Sequence, residues 1–248
     1  MKVALITGGT RGIGKEIALK FAKLDYQLIL SYRNDNESAT NTKNLCEKFG
    51  VKALLFKGDI SEKSTINSLF EFAIQNCGRV DVLVNNAGRN IDKPFHDLSE
   101  QDWDIVVNTN MKSVFLLSQL VSKDMIEKKV KGNIINISAT TAIQGRKNGM
   151  NYCSSKAGVI VMTKCMALEL GSLIRVNCVI PGFTYTSETE ERFNLKEQLN
   201  NELMKRKIPL NRLANPNEIA NIISFLVSEE ANYITGQKFI VDGGEYMY

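Results

Sequence analysis

Strand-length apolar runs alternate with amphipathic helical stretches almost from end to end of the 248-residue chain, and this rhythm narrows the fold more than any other feature. Strands are predicted at residues 3–7, 27–31, 52–57, 82–85, 133–138, 175–180 and 238–241, and helical patterns begin near Ile13, Asn36, Glu62, Ser99, Asn151 and Pro216. Such alternation predicts a parallel sheet covered by helices on both faces. Right-handed crossovers then reduce the options to a Rossmann-like, doubly wound α/β sheet of about seven strands. No linker, repeat or low-complexity tract interrupts the chain, so residues 1–248 read as one domain. Only residues 184–207 break the rhythm: they are polar, rich in Glu, Asn and Lys, and end at Ile208-Pro209. A long excursion after a strand's carboxyl end is expected to form a substrate-binding lid.

Composition excludes several classes. The net charge of +4 is mild and lysines alternate with acids, the pattern of solvated faces and not of a nucleic-acid partner. The cysteines at 46, 77, 153, 165 and 178 are odd in number, with no CxxC pair and no metal-ligand spacing. With no secretory leader apparent, reduced thiols in a cytoplasmic protein are the expectation. The single histidine, His96, excludes a His-rich zinc site and has no nucleophile beside it in sequence. The apolar start is far shorter than the ~20 residues of a membrane span, so no membrane partner is expected.

The segment Val3-Ala-Leu-Ile-Thr-Gly8-Gly-Thr-Arg11-Gly12-Ile13-Gly14 runs from strand through a glycine turn into a helix. Glycines let a backbone turn tightly and approach a pyrophosphate, which then rests on helix N-terminal amides. The end of the second strand commonly separates NAD from NADP, because a carboxylate there holds a ribose hydroxyl and a cation suits the 2′-phosphate. This chain has Tyr32-Arg33 and no carboxylate before Asp35. Arg33 and Arg11 together favour NADPH/NADP+ over NAD, since guanidinium grips phosphate in bidentate fashion. The alternative is that Arg33 merely solvates a strand end.

Tyr152 and Lys156, in Asn151-Tyr-Cys-Ser-Ser-Lys156, share one face of a helix at this spacing. A nearby cation favours a phenolate, so the pair is expected to tune a phenol toward neutrality for acid/base work. The spacing alone also fits a solvated helix face.

Taken together, Thr7-Gly-Gly-Thr-Arg-Gly-Ile-Gly14, Asp59-Ile60, Asn85-Asn86-Ala87-Gly88, Asn108-Thr-Asn110, Ser138, Tyr152-x-x-x-Lys156, Pro181-Gly182 and Val241-Asp-Gly-Gly244 resemble the short-chain dehydrogenase/reductase family over essentially the whole chain. Within it the chain looks most like the 3-oxoacyl-acyl-carrier-protein reductases. The resemblance implies a catalytic set of Asn110, Ser138, Tyr152 and Lys156. Ser138 would hold the substrate carbonyl and Tyr152 would protonate its oxygen. Lys156 would bind the nicotinamide ribose and lower the tyrosine pKa, and Asn110 would hold a water for proton resupply. Gly8, Arg11, Gly12, Ile13, Gly14, Arg33, Asp59, Ile60, Asn86, Ala87, Gly88, Tyr152, Lys156, Pro181, Gly182 and Thr184 would bind the cofactor. A homotetramer is implied as well, with contacts from long helices over residues 99–128 and 151–170 and from the C-terminal strand.

Substrate and partner stay open on the residues alone. An acyl-thioester substrate on acyl carrier protein would call for cations near the active-site mouth, and Lys128, Lys129 and Lys131 form a basic cluster just before the fifth strand. Against it, Leu173 stands where an arginine is usual in that group, the 138–152 stretch is a residue longer, and Gln144 and Arg146 fall within it. A small free molecule such as a sugar, polyol or cyclic alcohol, and a non-enzymatic NADP sensor, are the competing readings.

Overall fold

The computed structural model describes residues 1–206 and 208–247, with 201–206 described by backbone alone. In chain order the elements are β1 Val3–Ile6, α1 Gly12–Ala22, β2 Gln27–Tyr32, α2 Asn36–Glu47, β3 Ala53–Lys57, α3 Lys63–Cys77, β4 Val82–Asn85, α4 Glu100–Val107, α5 Ser113–Glu127, β5 Gly132–Ile137, α6 Thr141–Gln144, α7 Met150–Leu170, β6 Ile174–Pro181, α8 Ser187–Phe193, α9 Leu195–Arg206, α10 Pro216–Leu226 and β7 Lys238–Val241. Every predicted strand forms, each end within one residue of its expected place.

The seven strands make one parallel sheet in the order β3-β2-β1-β4-β5-β6-β7. Strand order reverses between β1 and β4, the switch point at which doubly wound sheets open a crevice beyond their carboxyl ends. β1 and β4 are buried at all four of their positions, as expected for strands covered on both faces. Alternate residues feed two cores. Ala4 and Ile6 join Ile17, Phe21, Ile219 and Ile223 under α1 and α10, whereas Val3 and Leu5 join Leu69, Leu117 and Val121 under α3 and α5.

Two segments differ from expectation. The helix predicted over 99–128 is interrupted by a π-helical turn, Asn108–Lys112, between α4 and α5. Such turns insert a residue and are invisible to a 3.6-residue periodicity because both flanks keep their own amphipathic pattern. The excursion at 184–207, left without an assigned element by the strand-and-helix rhythm, contains α8 and α9. Thr186 caps α8 reciprocally with Thr189, and Asn194 ends it in a left-handed conformation. These helices bury a small apolar cluster of Phe183, Leu195, Ile208 and Leu213, while Lys207 lies outside the described residues. Among the described residues no helix is long and apolar enough to cross a membrane.

Candidate active site

The turn from β1 into α1 builds one wall of the crevice. Gly8 and Gly12 take φ of +60° and +52°, which side-chain-bearing residues adopt at a cost. A Cβ on Gly14 would lie 2.1 Å from the Gly8 carbonyl oxygen, so helix and turn touch only because this residue is glycine. Asn86 ties the turn to β4: its Nδ2 donates to the carbonyls of Thr7 at 2.9 Å and Gly8 at 3.0 Å. Thr7 Oγ1 accepts the backbone amides of Asn86 and Ala87, both at 3.0 Å.

A cleft of about 860 Å³ lies beyond the strand ends. Every residue assigned above to cofactor binding lines it, from Gly8 and Arg11 to Pro181, Gly182 and Thr184. At the β2 end, Arg33 Nη1 stands 3.6 Å from Asp59 Oδ2. Burial raises the Asp59 pKa, but bonds from Ser61 and the charges of Arg33 and Arg89 outweigh it and hold the carboxyl below its usual range. The first acid after β2, Asp35, is occupied in capping α2, where it accepts from the Ser38 amide at 2.9 Å.

At the other end, α7 places Tyr152 and Lys156 beside Ser138, which follows β5. Ser138 Oγ donates to the Lys156 carbonyl at 2.8 Å, pinning α7 to the strand end. Lys156 Nζ donates to the Ile137 carbonyl at 2.8 Å and lies 6.0 Å from the Tyr152 ring centroid. Asn110, in the π-helical turn, is wholly buried. Its Nδ2 donates to the Arg89 carbonyl and to Ser155 Oγ, and its Oδ1 accepts the Arg89 amide at 2.7 Å. A Cβ on Gly88 would come within 3.5 Å of Lys156 Nζ and 3.6 Å of Asn110 Oδ1. The absent side chain therefore leaves both groups facing one small gap. The structure brings the four predicted catalytic residues together, three lining the cleft and Asn110 directly behind it.

Three further segments meet above Tyr152. Arg146, from the loop after α6, donates to Asp92 and to Asn90 Oδ1 at 2.6 Å, and its guanidinium lies 5.3 Å from the Tyr152 ring centroid. Arg192, from α8, pairs with the same Asp92. Glu188 also lines the cleft.

A family model described as "Enoyl-(Acyl carrier protein) reductase" matches residues 8–245. The chain is 41% identical to 3-oxoacyl-[acyl-carrier-protein] reductase FabG of Thermotoga maritima, over 98% of this chain and 97% of that protein. It is 34% identical to glucose 1-dehydrogenase 2 of Bacillus subtilis, over 100% and 95%. A solved short-chain dehydrogenase from Bacillus anthracis superposes with a TM-score of 0.88 at 35% identity, covering 100% of this chain and 97% of its own. The chain belongs to the short-chain dehydrogenase/reductase family. It is therefore an oxidoreductase of a family that binds a nicotinamide cofactor. The glycine cradle with its Arg11 and Arg33 at the β2 end fit such a group.

The electrostatics depart from the sequence expectation in one respect. Burial pushes the Tyr152 phenol up to about 12; Glu188 adds to the rise, and Arg146 and Arg192 work against it. Lys156 does not lower it, because the ammonium is itself buried, hydrogen-bonded to Ile137 and brought down to about 8 by desolvation.

Sequence reasoning flagged Arg146 but missed Asp92, Glu188 and Arg192. They lie on separate segments whose convergence no local motif records. The lysine cluster sits away from the cleft in this chain. Lys128 closes α5 at the amino-terminal end of β5, where its Nζ donates to the Gly78 carbonyl at 2.7 Å and pairs with Asp124, whereas the cleft opens at the strands' carboxyl ends. His96 lies exposed, its ring tilted against Phe95 in a short turn outside the cleft lining.

Proposed function

We propose that the protein uses NADPH to reduce a carbonyl to a secondary alcohol. The convergence of Ser138, Tyr152, Lys156 and Asn110 at one end of a glycine-walled cleft carries this reading. The reduced nicotinamide supplies hydride at the carbonyl carbon when bound. Negative charge then develops on the carbonyl oxygen, and hydroxyl donors aimed there stabilise it. Ser138 turns its hydroxyl from the Lys156 carbonyl to the substrate oxygen. Tyr152 gives its proton to that oxygen, and a phenol with a pKa of about 12 is fully protonated at neutral pH, as a donor must be. Lys156, at about 8, exchanges protons near neutrality and, with Asn110 across the gap at Gly88, restores the phenol. Arg33 and Arg11 favour NADPH through its 2′-phosphate.

A 3-oxoacyl thioester carried on acyl carrier protein is the first substrate to test, on the strength of relatives named for it at 37–41% identity. The second reading, a small free polar molecule, is supported by the glucose 1-dehydrogenase relative and by the charged side chains above Tyr152. Residues 184–207 act as the lid, and the functional unit is a homotetramer, a reading supported by Phe115 on α5 and Val161 and Leu168 on α7 standing exposed. NADPH oxidation followed at its absorbance band, with acetoacetyl thioester set against sugars and cyclic ketones, decides between the substrates. Binding of NADPH without turnover of any carbonyl or alcohol would instead favour a sensor.

A further inference from the structure

The guanidinium pair above Tyr152 moderates the phenol's pKa but takes no part in the proton relay proposed above. Arg146 and Arg192 come from segments 46 positions apart, yet both line the cleft, whereas Asp92, which holds them together, does not. The carboxylate thus grips both guanidiniums from behind. Arg146 also braces on Asn90, and Arg192, which lies over the Phe193 ring, makes one side-chain hydrogen bond among the described residues, to Asp92. A guanidinium carries five N–H donors, so both side chains keep donors for a ligand in the cleft. Two cations sharing one carboxylate leave one positive charge for that ligand to neutralise.

Resting on the reductase reading, we propose that the substrate is a small oxo acid whose carboxylate binds Arg146 and Arg192 while its carbonyl meets Ser138 and Tyr152. Arg146 lies 5.3 Å from the Tyr152 ring centroid, which restricts the anion to a position a few bonds from the reacting carbon. The phosphate of a pantetheine arm, many bonds from its thioester, does not reach this place while the thioester carbonyl is at Tyr152. Planar bidentate recognition of a carboxylate is what arginine does better than lysine. Glu188 is the opposing charge: it faces Tyr152 and Lys156 from α8, equals the arginine cluster's surplus in size and repels an anion, so binding rests on the guanidinium donors that reach the ligand directly. Glu191 lines the cleft on the same helix. The oxo acid gains hydride at carbon and the phenol proton at oxygen, leaving a hydroxy acid and oxidised NADP.

The test compares pyruvate, acetoacetate and levulinate with their methyl esters, with NADPH as reductant. At least one acid is expected to exceed its ester in kcat/KM by roughly ten- to a hundredfold, the scale of one or two charge-assisted hydrogen bonds. That ratio is expected to collapse in Arg192→Gln and Arg146→Gln, to recover partly in Arg146→Lys, and to widen in Glu188→Gln. Arg192 stands on an exposed helix, so its variant remains informative if Arg146→Gln fails to fold. Esters or thioesters reduced as well as the acids, or a ratio unmoved by both arginine variants, would overturn the proposal and leave the reductase reading intact. If no carbonyl is reduced, that reading falls, and thermal-shift titration of the NADPH-loaded protein with lactate and 3-hydroxybutyrate against their methyl esters still decides. Charge-dependent stabilisation lost in Arg192→Gln supports the anion site, and equal shifts reject it.

Discussion

Tyr152 and Lys156 are displaced by burial in opposite directions, the phenol upward and the ammonium downward. Their spacing was legible in the sequence, but the direction of the phenol's shift was not, because a helical spacing records adjacency and not depth. Replacing Tyr152 by Phe removes the proposed proton donor with little change of shape. Turnover is expected to fall about 10²–10⁴-fold, with NADPH affinity by fluorescence titration nearly unchanged; retention of most activity would contradict the assignment. Lys156 gives a stability signature. Its value is about 8 when folded against 10.5 ordinarily, so between those pH values the unfolded chain holds more protons and stability rises with pH. Wild type is therefore expected to gain on Lys156→Met from pH 8 to 10.5, by up to about 3 kcal/mol, in urea unfolding across that range. A pH-independent difference would place the ammonium in water. At the β2 end, Arg33→Asp sets a carboxylate beside Asp59, and the kcat/KM preference for NADPH over NADH is expected to drop roughly tenfold or more. An unchanged preference would mean that the phosphate is read elsewhere.

At the scale of elements, α7 and the central strands are joined by polar side chains that the apolar patterns concealed. Asn136 on β5 accepts from Asn85 at 2.8 Å and donates to Thr163 on α7 at 2.9 Å, while Asn85 also donates to Ser118 on α5. Asn136 and Asn85 read as interruptions of strand sequences, and only the assembled layers reveal that they satisfy each other. Asn136→Ala deprives buried partners of their bonds and is expected to cost about 1–3 kcal/mol, read as a lower urea midpoint with an unchanged slope. Loss of less than the error of that measurement would mean water replaces the amide. The strands were easier to place than the helical connections. Strand ends are marked by abrupt changes from apolar to glycine or polar residues, as at Ile6 and Asn85. The break inside 99–128 has no such marker: Asn108-Thr-Asn110 carries hydrogen-bonding side chains but neither glycine nor proline.

For the whole molecule, alternation and handedness made a doubly wound parallel sheet available from residues alone, whereas its strand order came only with the structure. The glycine loop was legible because it follows a strand end, and the proposed catalytic set because Asn108-Thr-Asn110, Ser138 and Tyr152-x-x-x-Lys156 are each local in sequence. The Asp92, Arg146 and Arg192 cluster was not, since each residue belongs to a different connection. Assembly leaves a further expectation. With Val161 59% and Leu168 88% exposed on α7, the tetramer proposed above would scatter as four times 27.7 kDa, and Val161→Glu with Leu168→Glu is expected to lower that mass toward a dimer or single chain. A tetramer that survives both changes would place the contact elsewhere. The π-helical turn has a consequence for how such a site can be gained or lost. One residue more than a regular helix requires separates the start of α4 from the end of α5, and it is this surplus that holds Asn110 under Arg89 and against Ser155. Deleting one residue in 108–112 would let the two helices fuse and turn one flank by about 100° relative to the other. No single substitution produces that rotation, so scanning mutagenesis would overlook it, and for the proposed site chain length at this point is a heritable variable in its own right.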